Sequence, residues 1–217
     1  MKRSKVLLTL LCAAALVVTS VFGTMAYLTD DDAVTNTFTV GEVHINLDEE
    51  DITKDDESRT ETGNTYDEIL PGHTYVKDPT VTVLNDSEDS YVRMLVTVDY
   101  KAAADAVLAK HDYDSWFNFN TNWVVNGAPV TTKYTVGEGT EAVDMIKRTY
   151  EFRYKDIVNG DEGDNKLPAL FTQISIPGAL TNNELATMEG LTINIVAHAI
   201  QAEGFTDADD AWGHFAA

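Results

Sequence analysis

Period-two alternation of side chains predicts an all-β chain: an antiparallel β-sandwich of jelly-roll type with a few short helices. Three observations carry the expectation. About eight segments alternate apolar with polar residues. Clusters of Gly, Pro, Asn and Asp punctuate them. Helical signals are confined to two short stretches, Ala102 to Lys110 and Thr181 to Met188.

The chain opens on a leader. Lys2, Arg3 and Lys5 precede an uncharged apolar run from Val6 to Phe22, and small residues stand at Thr24 and Ala26. That pattern reads as a secretory signal cut between Ala26 and Tyr27; the alternative is retention as a membrane anchor, for which the run is at the short limit of a span. The lone cysteine, Cys12, lies in the leader, so the expected mature chain has no disulfide and no thiolate chemistry. One domain over residues 27–217 is expected, long enough for a sizeable core.

Asp30, Asp31 and Asp32 make an extended, hydrated patch. Val34, Phe38 and Val40 then share one parity, as in a half-buried strand, and after Gly41 the apolar parity moves to Val43, Ile45 and Leu47. A change of face at a glycine predicts a bulge there. Asp48 to Asn64 is polar throughout and reads as a loop or mobile excursion. Leu70-Pro71-Gly72 marks a turn, Thr80 to Leu84 a strand, and Asn85 to Asp89 a polar connection. Tyr91 to Tyr100 is the clearest strand, with Val92, Met94, Val96 and Val98 on one face. Trp123 to Val125 and Val130 to Val136 read as the two arms of a hairpin around Asn126-Gly127. Met145 to Tyr154, Phe171 to Ile176 and Leu191 to Gln201 complete the strands, and Thr206 to Ala217 is an acidic, then aromatic, tail.

The net charge is −21, and the leader contributes only positive charge, so the remainder is more acidic still. Such a chain excludes nucleic acid and anionic membrane surfaces as partners. The enzyme signatures that sequence can show are missing: there is no HExxH, no GxSxG and no phosphate-binding glycine loop, and the histidines are scattered without metal-ligand spacing. The sequence therefore predicts no catalytic residue and no cofactor. Calcium is the alternative left open by the oxygen-rich loops, with Asp161, Glu162 and Asp164 in one and Asp207, Asp209 and Asp210 in the other. Neither loop matches an EF-hand.

Gly23-Thr24-Met25-Ala26-Tyr27-Leu28-Thr29-Asp30 resembles the junction GTxAYFTD of bacterial precursors processed by SipW-type signal peptidases. Asn36 to Gly41 looks like the strand that opens mature TasA and camelysin family proteins. Leu70-Pro71-Gly72, Lys77 to Val81, Asp89 to Val92 and Ile193 to Glu203 are similar to that family's later strands. The resemblance implies a secreted jelly-roll protein of a Gram-positive bacterium, at the cell surface or in the biofilm matrix, with signal peptidase as its partner during export. TasA-like members are matrix fibre subunits that polymerise with copies of themselves by donor-strand exchange. Here Val34, Phe38 and Val40, on a mobile segment 27–40, would be the donor side chains. Salt, calcium or acid would favour assembly by reducing charge repulsion. Camelysin resemblance carries a metalloendopeptidase label, for which this chain has no zinc motif. A monomeric surface-binding module, with other matrix or cell-surface proteins as partners, is the third reading.

Overall fold

The computed structural model describes residues 42–56, 58–160 and 163–215. The chain divides into two units, Met1–Val40 and Gly41–Ala217, and the described strands, helices and core all belong to the second. The expected cleavage site at Ala26 and Tyr27, the donor residues Val34, Phe38 and Val40, and the bulge at Gly41 lie outside the described residues.

The fold is all-β, as expected, with antiparallel pairing throughout and few short helices. Twelve strands are described: β1 (Ile45–Glu50), β2 (Arg59–Thr60), β3 (Thr74–Val76), β4 (Thr80–Val83), β5 (Ser87–Lys101), β6 (Trp123–Val125), β7 (Val130–Val136), β8 (Val143–Tyr154), β9 (Val158–Gly160), β10 (Asn165–Lys166), β11 (Gln173–Ser175) and β12 (Thr192–Gln201). Three short helices join them: α1 (Asp105–Lys110), α2 (Asn182–Thr187) and α3 (Ala208–His214). The larger sheet runs β12-β5-β8-β6, with β7 also on β8 and β9 on β5. A second sheet runs β10-β4-β1-β2, and β11 pairs β3 in a third.

The long strand β5 sets the core. Val92, Met94, Val96, Val98 and Tyr100 fall on one face by strict alternation and are almost wholly buried. Val81 and Val83 of β4 belong to the same cluster, together with Trp116, Phe117, Trp123, Phe152, Leu170 and Phe171. Polar staples fix the entry of β1. The His44 amide donates to Ser87 Oγ at 3.0 Å, and that hydroxyl donates back to the His44 carbonyl at 3.2 Å. Ser87 is also approached by Gly160 of β9, where a Cβ would lie 2.6 Å from the Ser87 carbonyl oxygen.

Four expectations need correction. The polar segment from Asp48 is not a free excursion: β1 continues to Glu50 and pairs with β2. Charge supplies the order that apolar residues do not. Arg59 reaches Asp48 and Asp78, each at 2.6 Å, and the Lys77 ammonium meets Glu49 at 2.5 Å in a site where both side chains are more than nine-tenths buried. The Asn64 side chain donates to Glu49 as well, at 3.0 Å.

The second correction concerns β6 and β7, which do not form a hairpin. Both pair with β8, so they run in one direction along its outer side as a single broken strand. Residues 126–129 make the break, where Gly127 takes φ +71 and Pro129 has no amide to donate. Third, the connection expected between Asn85 and Asp89 is already strand from Ser87. Fourth, the tail contains α3, whose N-cap is Asp207, with its side chain accepting the Asp210 amide at 3.0 Å. The other two helical readings hold, and α2 carries a full capping box between Thr181 and Glu184.

The buried ion pair yields a test. Glu49→Gln leaves the Lys77 ammonium uncompensated and should cost about 3 kcal/mol in urea unfolding. The apolar double variant Glu49→Leu/Lys77→Met should recover most of that loss. Equal losses for both variants would mean that the pair, rather than its charge balance, holds β2 in place.

Candidate interaction surface

Two edges of the larger sheet carry unpaired backbone among the described residues, and they are the candidate interaction surface. The longest is β12. Its ten residues pair with β5 from Thr192↔Asp99 to Gln201↔Ser90, and no strand among the described residues pairs its other side. The Ala202 amide donates to the Asp89 carbonyl at 2.7 Å, which fixes the ladder's alternation: even-numbered residues of β12 direct their backbone groups at β5. Those of Ile193, Ile195, Ala197 and Ala199 therefore face outward along the edge. The same four residues turn their side chains toward the core, yet each stays only half-buried against it. This edge thus offers unpaired backbone and an incompletely covered apolar row together.

A groove of about 560 Å³ opens at the start of this edge, lined among others by Tyr75, Trp116, Ile174, Leu191 and Ile193. A second, of about 360 Å³, lies over Val96, Val98, Phe119, Tyr150 and Phe152. Tyr113 stands between them and lines both. Burial pushes its phenol well above the usual tyrosine range, so it stays protonated and acts as part of the apolar wall. The β12 alternation is plain in the sequence. Its place at an edge is not, because that depends on which distant strand pairs with it.

Part of the outer face of the larger sheet is covered by α3. His198, Arg93 and Arg153 lie side by side across β12, β5 and β8, and the two adjacent guanidinium groups need compensation. Glu151 meets Arg153 at 2.6 Å and Arg93 at 3.6 Å, and Asp209 pairs with Arg153 from the helix. Trp212 and Phe215 cover the Arg93 guanidinium at 4.2 and 4.9 Å from their ring centroids. Arg93 donates to His198 Nδ1 at 3.3 Å, which requires a neutral imidazole, and Phe215 packs on that ring.

Each calcium candidate among the described residues has another partner. Asp164 accepts the Asn85 amide at 2.9 Å, Asp207 caps α3, Asp209 pairs with Arg153, and Asp210 accepts the Thr206 amide at 3.1 Å. Asp161 and Glu162 lie outside the described residues. Among the described residues no three His, Cys, Asp or Glu side chains converge as metal ligands. No described helix is long and apolar enough to cross a membrane.

No family model, curated protein or solved structure matches the chain.

The His198 cluster has a signed pH dependence. Burial first, and Arg93 second, hold its pKa below the usual 6.5. The folded protein then binds fewer protons than the unfolded chain as pH falls below that value. This contribution to stability is complete above the usual histidine value and declines through the lowered one. Urea unfolding between about pH 7.5 and pH 5 should show this slope, reduced in His198→Gln. An unchanged slope in the variant would remove His198 as its source.

Proposed function

We propose that the protein is a secreted structural subunit of an extracellular, biofilm-matrix fibre, in the manner of TasA and camelysin family proteins, with a jelly-roll core. Copies assemble head-to-tail by donor-strand exchange. The segment 27–40 freed by cleavage at Ala26-Tyr27 is the donor, and the bare edge of β12 is the acceptor. The observation that carries this reading is that β12 combines a ten-residue unpaired edge with a half-buried apolar row. An added strand would satisfy the outward backbone groups of Ile193 to Ala199 and press alternate side chains over the exposed margin of the core. Val34, Phe38 and Val40 share the parity such a strand needs. The contact joins two different surfaces and does not close on itself, so it propagates as a filament.

Ala197→Pro tests the acceptor. It removes an outward-facing amide and leaves the β5 ladder untouched. By electron microscopy of processed protein in salt, this variant and one lacking residues 27–36 should both fail to form filaments while retaining the native melting temperature. Filaments from either variant would rule out this assembly route.

A further inference from the structure

The other edge of the larger sheet differs from β12 in charge. From Ser115 to Gly137 the chain has no aspartate or glutamate, and Lys133 is its one charged residue, in a protein of net charge −21. That stretch supplies the whole outer edge, β6 followed by β7. Val124, Val125, Val130 and Val136 are 55, 52, 69 and 53 % exposed along it. The acids nearest to β7 stand on neighbouring strands and are engaged there, Asp144 accepting from Thr135 at 2.9 Å and Asp99 from Tyr134 at 2.6 Å, so this edge repels a second copy less than the acidic surface around it.

The sequence of β7 adds a second observation. Val130-Thr131-Thr132-Lys133-Tyr134-Thr135-Val136 reads almost the same in both directions, with Thr132 and Tyr134 the one mismatch. A strand of that kind is complementary to itself when turned antiparallel. Its backbone supports the same pairing. The Asn126 amide donates to the Glu151 carbonyl at 2.8 Å, so odd-numbered residues of β8 direct their backbone groups at this edge. Opposite them stand Val130, Thr132, Tyr134 and Val136. The backbone groups of Thr131, Lys133 and Thr135 are left facing outward, and no described strand takes them.

We propose that β7 is a self-association edge, which pairs antiparallel with β7 of a second copy about a two-fold axis at Lys133. Val130 lies opposite Val136 of the other copy, Thr131 opposite Thr135, and Thr132 opposite Tyr134. These are β-branched and aromatic pairs of the kind that stabilise strands. Lys133 meets its own copy on the axis, the one repulsive pair, and so sets an upper limit on the strength of the contact. The interface is isologous and closes at two copies. It does not depend on donor-strand exchange; if filaments form, it joins neighbouring filaments side by side.

Site-specific cross-linking of the full chain in a Cys12→Ser background tests the register. Residues paired across the axis have Cα atoms about 5.5 Å apart, within disulfide reach. Lys133→Cys should form a disulfide-linked dimer under mild oxidation. Thr131→Cys and Thr135→Cys should not do so singly, because each lies about 13 Å from its own copy, but should do so when mixed. In sedimentation of the chain with its leader retained, Lys133→Thr should dimerise about threefold more tightly than the native chain, and Thr131→Pro, which removes an outward amide, should lose this dimer with an unchanged melting temperature. Equal cross-linking at positions 131, 133 and 135, or none at 133, would overturn the proposal. So would loss of filaments in Thr131→Pro without a Lys133→Cys dimer, since β7 would then accept a different strand.

Discussion

The larger sheet depends on the backbone of β5. That 15-residue strand directs alternate hydrogen-bonding groups to β12 on one side and β8 on the other. Its side chains alternate in step with that pattern, with Val92, Met94, Val96, Val98 and Tyr100 in the core and Arg93 on the face under α3. One segment thereby places the centre of the sheet, the apolar cluster and the Arg93–His198 row. It also determines where the sheet ends. With β5 and β8 saturated on both sides, β12 on one flank and β6 and β7 on the other are the strands left with bare backbone.

The two bare flanks differ in chemistry, and the difference suits different contacts. β12 leaves Ile193, Ile195, Ala197 and Ala199 half-covered, so a strand added there gains apolar burial as well as hydrogen bonds. β7 has no such row, but it lies in the acid-free stretch and is nearly symmetric in sequence. On the proposed reading the first contact gives a fibre its length and the second its width. On the same reading, high negative charge elsewhere on the chain would keep other surfaces apart and confine association to these edges.

The strongest elements were legible because their signals are local. Tyr91 to Tyr100 keeps Val92, Met94, Val96 and Val98 on one parity and Arg93, Thr97 and Asp99 on the other, and Thr181 with Glu184 is a complete capping box. The failures share a cause, which is that pairing is decided at a distance. Asn126-Gly127 looks like a hairpin turn, yet β8 offers both flanking segments a better partner than each other. Arg59 looks like one more charge in a polar loop until Asp48 and Asp78 are seen to flank it. The α3 helix had a readable start in Asp207 and Asp210, hidden within a run of acids that resembled solvated tail. The Arg93–His198 row was present as matched parity in two strands, but only their register brings it together. The β12 edge was invisible for the same reason, since no residue within a strand states whether a neighbour will cover it.

Residue-resolved amide hydrogen exchange, before and after assembly in salt, tests the central claim most directly. The account predicts that in the monomer Ile195, Ala197 and Ala199 exchange fast while Val196 and His198, bonded to β5, are protected. On assembly the three outward amides should become protected together. Assembly that leaves those amides exchanging as in the monomer would contradict β12 as the acceptor edge.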